Sequence, residues 1–191
     1  MPASVICISH AEGAGGQEVA KLLAERLGYR YIDDGIIISA AQADHAYPEA
    51  VALAESRHTG RKIEVDFNRV ENTEALRDRI RDAIHATADE GSVVIAAHAA
   101  SFALAERPEV LRILVTASSE TRQQRIAEAD GRDAKAAAKQ LKESDKGRAS
   151  YLKSFYGVGE ELPTHFDLVV NTDRLPAESA VDAIAHAVPA D

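Results

Sequence analysis

Two hydrophobic rhythms alternate along this chain, one with the period of a strand and one with that of a helix. Val5–Ser9 is a short β-branched run that breaks into a glycine cluster, Gly13-Ala14-Gly15-Gly16. Beyond it Val19, Leu22, Leu23 and Leu27 recur at helical spacing, and Gly28 supplies a C-terminal stop. Tyr29–Ile32 reads as a second strand. Strand, glycine loop, helix, strand is the opening of a parallel α/β sheet. Val93–Ala96 and Val110–Thr116 are apolar runs rich in Val, Ile and Leu. Such runs suit central parallel strands covered on both faces. Phe166–Asn171 reads as the last strand.

Between the second and third strands the pattern is mostly helical. Ile36–Ala43 and Pro48–Ala54 predict helices, with Pro48 suited to a first helical position. Thr73–Asp89 is amphipathic, with Leu76, Ile80, Ala83 and Ile84 on one face. His58–Asn72 is polar with little periodicity and predicts a loop or flap. Such a helical insert would form a mobile lobe over a site. Ser118–Asp130 and Arg132–Leu141 are charged and helix-prone. Ser144–Val158 is expected to be a second mobile element. Ala177–Val188 closes the chain as a helix opened by Pro176, with Val181, Ile184 and Ala185 inward. No repeat, low-complexity tract or linker divides the sequence. The expectation is one domain over residues 1–191, a three-layer α/β/α fold around a five-stranded parallel sheet. Its core would be 1–33 and 91–191, its insert 34–90 and its lid 131–158.

Composition narrows the function. The 191 residues are 46% hydrophobic, enough for a proper core and against disorder. No apolar run approaches the roughly 18 residues that span a bilayer. The N-terminal apolar run lacks a basic segment before it and reads as a strand, not a signal peptide, so a cytoplasmic location is expected. The one cysteine, Cys7, lies in that strand and predicts a small buried hydrophobe. Lys and Arg number 22 against 31 Asp and Glu, a net charge of −9. That balance argues against a nucleic-acid partner. It leaves room for a nucleotide or another phosphate-bearing small molecule, held by a local loop and a few arginines. The basic residues cluster at Arg122–Arg125, Arg132–Lys135 and Lys139–Lys153. The histidines show no metal-ligand spacing, so no metal-ligating residue is named.

A glycine loop between strand and helix lets backbone N–H groups turn toward anionic oxygens. Here the candidates are Ser9, Gly13, Ala14, Gly15, Gly16 and Gln17. By itself such a turn also occurs with no ligand. The segment Val19–Gly35, reading Val-Ala-Lys-Leu-Leu-Ala-Glu-Arg-Leu-Gly-Tyr-Arg-Tyr-Ile-Asp-Asp-Gly, resembles the stretch after the phosphate loop of cytidylate kinases. Ser9, Gly13, Gly15 and Gly16 match the Ser-x-x-x-Gly-x-Gly-Gly loop of the cytidylate kinase-like family still better. Aligned with cytidylate kinases proper, His10 stands at the first glycine of the motif and Gly16 at its lysine. Gln17 is neutral where relatives often carry a basic residue. Glu18 stands at the hydroxyl residue near Mg²⁺; it either faces the site or points away and favours the helix N-terminus.

Three further segments extend the resemblance. Thr116-Ala-Ser-Ser-Glu-Thr-Arg122-Gln-Gln-Arg125 is similar to the strand-to-helix segment whose arginines sit near ATP. At i and i+3, Arg122 and Arg125 share a helix face, which could equally be a solvated basic face. Asp145-Lys146-Gly147-Arg148-Ala149-Ser150-Tyr151 resembles the family's lid motif, Asp-Lys-x-Arg-x-x-Tyr. The resemblance makes Lys146 and Arg148 the leading catalytic candidates, closing over the transferred phosphoryl group, with Arg122 and Arg125 as further catalytic candidates that neutralise the moving charge. Asp145 is expected to orient Arg148, and Tyr151 and Tyr156 either pack the lid or touch nucleotide. His165–Leu175 is similar to the family's closing strand. The family's Gly-Arg-Gly-Ala after the third strand has His98 here in place of the arginine; His98 either holds an acceptor phosphate weakly or fills a loop. Asp33 is the other acceptor-side candidate. Residues 39–69 resemble nothing. The resemblance implies transfer of the ATP γ-phosphoryl group, with Mg²⁺, to CMP or dCMP. A catalytically impaired relative acting as a nucleotide or anion sensor or as a protein-interaction module, and a kinase for another small acceptor, stay open.

Overall fold

Strand alternation sorts the core into two layers. The structure, a computed structural model, describes residues 4–42, 74–97 and 99–188. Its strands are β1 (Val5–His10), β2 (Arg30–Asp33), β3 (Val93–Ala96), β4 (Val110–Thr116) and β5 (Leu168–Asn171). They form one parallel sheet in the order β2-β3-β1-β4-β5. Successive side chains on a strand point to opposite faces. Val5, Cys7, Val93 and Ile95 therefore join one apolar cluster, and Ile6, Ile8, Val94 and Ala96 join the other.

Helices cover both faces. On one side α1 (Gly16–Leu27) contributes Val19, Ala20 and Leu23. On the other, α2 (Asp34–Gln42) contributes Ile36 and Ile37, and α3 (Glu74–Asp89) contributes Ile80 and Ile84. A short α4 (Ala100–Ala103) follows β3, and α5 (Ser119–Asp130) follows β4. Then come α6 (Ala134–Tyr156), a 3-10 turn at Pro163–His165 and α7 (Ala177–Ala187), which packs beside α1 through Val181 and Ile184. Each fully buried Val, Leu or Ile contributes about 1.5–3 kcal/mol. The expected three-layer α/β/α fold with a five-stranded parallel sheet is what the chain adopts.

Three local features differ from the sequence expectation. The stretch read as a helix over Arg132–Leu141 and a separate mobile element over Ser144–Val158 is one continuous 23-residue helix, α6, passing through Gly147. A mid-helix glycine costs about 1 kcal/mol. The Asp133 cap, whose Oδ1 accepts from Ala136 N at 2.8 Å, and burial of Leu141, Tyr151 and Leu152 offset that cost. Helix α4 was not expected. It starts after Ala99, which is held at φ +61, a strained setting for a residue with a Cβ. Strand β5 begins at Leu168, two residues later than expected; Asp167 before it is tied to β4 twice, its N–H donating to the Arg112 carbonyl at 2.8 Å and its Oδ2 accepting from Arg112 N at 2.8 Å. The expected helix at Pro48–Ala54 and flap at His58–Asn72 lie outside the described residues. Among the described residues no helix is long and apolar enough to cross a membrane.

Register brings the functional segments together. His10 pairs with Val115, Asp33 with Ala96, and Thr116 with Asn171. The carboxyl ends of all five strands thus lie along one edge of the sheet. In open parallel sheets ligands bind outside that edge.

Candidate functional site

The glycine loop leaves the end of β1 at this edge. Gly13 and Gly15 sit at φ +75 and +78, with one residue between them. Left-handed residues alternating in this way turn backbone N–H groups toward a common concavity. Gly15 is the N-cap of α1, whose first turn leaves unpaired N–H groups. Gly13 has a second constraint. A Cβ there would lie 2.6 Å from the carbonyl oxygen of Arg122, so the loop is pressed against the start of α5.

The position aligned with the kinase lysine has no room for a side chain. A Cβ on Gly16 would lie 2.3 Å from Cβ and 2.5 Å from Cγ of His10. The His10 ring fills the space through which a side chain at 16 would leave the helix. Gln17 is half-buried. Glu18 is exposed on the first turn of α1, where its charge favours the helix N-terminus.

Two arginines of α5 brace the loop from behind. Arg122 donates from Nε to the Glu12 carbonyl at 2.7 Å, and from Nη1 and Nη2 to Asp145 at 3.2 and 2.5 Å. Arg125 donates from Nη1 to the carbonyl of Gly13 at 3.3 Å and to Thr172 Oγ1 at 2.9 Å, and from Nη2 to the Thr172 carbonyl at 2.7 Å. Thr172 Oγ1 in turn donates to the Ala14 carbonyl at 2.9 Å. The shared helix face expected from the i, i+3 spacing is therefore real, and it is turned onto the loop, not into solvent. Asp145 pairs with Arg122 and not with Arg148 as expected, because Arg148 faces a different acid.

That acid is Glu161. Arg148 donates from Nε to Glu161 Oε2 at 2.6 Å and from Nη2 to Oε1 at 2.9 Å. Its Nη2 also donates to Ser9 Oγ at 2.7 Å, and Ser9 Oγ donates to Glu161 Oε1 at 2.7 Å. Ser9 and Arg148 are 2% and 8% exposed, so the pair is shielded from water and little screened. Ser9, Gly13, Ala14, Gly15, Arg122, Arg125 and Arg148 are thus gathered at one loop.

The other candidates are more scattered. Lys146 is exposed on α6. Asp33 is buried at the end of β2 and caps α2, its Oδ1 accepting from Ile36 N at 3.1 Å. His98 lies outside the described residues. Tyr151 stacks on Phe155 with centroids 3.9 Å apart, and Arg77 of α3 lies 4.1 Å from the centroid of Phe155. Burial pushes the Tyr151 and Tyr156 hydroxyls above their ordinary range. Both tyrosines pack the end of α6. Among the described residues no group of three His, Cys, Asp or Glu is placed to hold a metal ion.

Sequence reasoning missed Glu161, Thr172 and the pairing of Arg122 with Asp145. No spacing rule connects residues 9, 148 and 161. The only local signal was an acid pair, Glu160-Glu161, before Pro163.

The profile of the cytidylate kinase-like family matches residues 5–174. A cytidylate kinase of Sulfurisphaera tokodaii is 29% identical over 171 residues, covering 90% of this chain and 87% of that protein. A cytidylate kinase of Ignicoccus hospitalis is 29% identical over 181 residues, covering 95% and 96%. The crystal structure of an uncharacterized protein from Eubacterium ventriosum superposes with a TM-score of 0.73 at 20% identity, over 96% of both chains. Shikimate kinase from Acinetobacter baumannii in complex with shikimate gives 0.57 at 16% identity, over 96% of this chain and 91% of that one. These structural likenesses show that the chain shares the three-layer α/β/α fold of those proteins. With a profile match running from the first strand past the last, the chain belongs to the cytidylate kinase-like family.

Proposed function

We propose that the protein is a nucleotide kinase that moves the γ-phosphoryl group of ATP to a nucleoside monophosphate, CMP or dCMP. The observation that carries this is the glycine loop at the N-terminus of α1, with Arg122, Arg125 and Arg148 converging on it from α5 and α6. An acceptor phosphate oxygen bonds to the γ-phosphorus as the bond from that phosphorus to the β,γ-bridging oxygen breaks. Such transfer asks the protein mainly for positioning and charge compensation. Backbone N–H groups of Gly13–Gly16 would hold the donor phosphates. Arg122 and Arg125 take up loop carbonyls and bring positive charge to the back of the loop. Arg148 and Lys146 would meet the moving phosphoryl group from the lid, residues 131–158. Asp33, His98 and the insert 34–90 would form the acceptor side. Magnesium in kinase sites is held largely by substrate phosphates and waters. Mg²⁺ would accordingly arrive on ATP and offset phosphate charge, with no dedicated cage among the described residues. A cytoplasmic location fits this role.

A second reading, an anion-binding relative without turnover, is favoured by one observation: all three arginines already hold an acid or a carbonyl. A single comparison separates the two. The purified protein is titrated with ATP·Mg²⁺ and CMP, and phosphoryl transfer is followed beside an Arg148→Ala control. Transfer that falls by about 100-fold or more in the control supports catalysis. Binding without transfer supports the anion sensor. Absence of nucleotide binding discards the kinase and any nucleotide sensor.

A further inference from the structure

Three side chains from distant parts of the chain close a ring beside the start of the glycine loop. Ser9 is the next-to-last residue of β1, Arg148 lies on α6, and Glu161 lies between α6 and the 3-10 turn. Oε1 of Glu161, Oγ of Ser9 and Nη2 of Arg148 are mutually 2.7, 2.7 and 2.9 Å apart. The second carboxylate oxygen takes Nε of Arg148 at 2.6 Å. Planar two-point pairing of this kind fixes the plane of the guanidinium as well as its place. It also uses up one edge. Among the described residues Arg148 makes hydrogen bonds through Nε and Nη2, and none through Nη1.

A buried ion pair is a poor stabiliser, because desolvation of both charges cancels much of their attraction. Its effect here is geometric. An unpaired arginine on a helix can swing through many rotamers. This one is held against a strand residue that is itself 2% exposed.

We propose that Glu161 is a positioning residue of the phosphoryl-transfer site: it grips the Nε/Nη2 edge of Arg148 and the hydroxyl of Ser9, and so fixes the direction in which Nη1 is offered to a phosphate oxygen. This rests on the kinase reading above. In that role Glu161 touches neither nucleotide nor the reacting atoms, and acts through Arg148.

The test compares wild type, Glu161→Gln, Arg148→Ala and the double variant with ATP·Mg²⁺ and CMP. Glu161→Gln is expected to lower kcat by about tenfold or more, as small misplacements of a charge-stabilising group do. The Kd for ATP·Mg²⁺, measured by titration calorimetry, should change by less than about threefold. The double variant should be no slower than Arg148→Ala alone, since removing the held residue leaves Glu161 nothing to position. Glu161→Asp keeps the charge but shortens the reach, and should show the same selective loss in kcat. It serves as the second variant if Glu161→Gln does not fold. Wild-type kcat in the folded variants, additive losses in the double variant, or tighter ATP binding in Glu161→Gln would each overturn the proposal. The last result would make Glu161 a competing anion instead. A wild-type protein with no transfer at all overturns the kinase reading together with this one. An active wild type matched by its Glu161 variants overturns this one alone.

Discussion

Gly16 and His10 form a pair that neither residue reveals alone. The sequence shows a glycine where cytidylate kinases proper carry lysine, a glycine that matches the loop of the cytidylate kinase-like family. The structure shows why a lysine cannot simply be put back: its Cβ would lie 2.3 Å from Cβ of His10. Cβ cannot rotate away as the tip of a long side chain can, so the strand or helix must shift. Gly16→Lys is therefore expected to destabilise the fold by about 1–3 kcal/mol, the usual cost of overpacking. Combining it with His10→Gly should recover most of the loss. Thermal unfolding of the two variants checks this; a single Gly16→Lys variant melting at the wild-type temperature would contradict the packing described. The glycines of the loop were legible as a loop because their spacing is local. The His10 ring was not, because its neighbour lies six residues on, across a turn whose path no propensity specifies.

At the scale of elements, the loop is held by a tie between α5 and the end of β5. The Thr172 hydroxyl accepts a hydrogen bond from Arg125 and donates one to the Ala14 carbonyl, with its side chain almost wholly buried. Thr172→Val keeps the shape and removes the hydroxyl. It leaves the Ala14 carbonyl and one Arg125 donor short of a partner, and is expected to cost about 1–3 kcal/mol. A urea titration should show a lower midpoint with an unchanged slope. An unchanged midpoint would mean that water replaces the hydroxyl. Helix α5 itself was readable from the charged, helix-prone run Ser118–Asp130; the structure adds its cap, Ser118 Oγ accepting from Thr121 N at 3.2 Å. The length of α6 was not. Its middle carries Ser144, Asp145 and Gly147, which are weak helix formers, and burial against other elements decided it.

For the whole molecule, the sheet buries an ionisable group that only high pH can reach. Burial pushes the Cys7 thiol from its ordinary 9.0 up to about 12. Burial also raises the Tyr31 hydroxyl. In the unfolded chain these groups release protons first. From about pH 9 to 12 the unfolded state therefore binds fewer protons, and stability falls as pH rises, by about 1.4 kcal/mol per unit for each group titrating alone. Below pH 9 that contribution is fully present. Denaturant midpoints measured across this range should decline, and less steeply for Cys7→Ala. An equal slope in the variant would rule Cys7 out as a source. The sequence by itself determined the fold class, the strand that carries the glycine loop and the arginines on one face of α5. Those features follow from periods of two and 3.6 residues and from resemblance, both of which are local. Only the tertiary structure decided which charges meet. Arg122 took Asp145, Arg148 took Glu161 and Ser9, and His10 closed the lysine position, because parallel register and the path of α6 bring these residues together across separations of up to 152 residues.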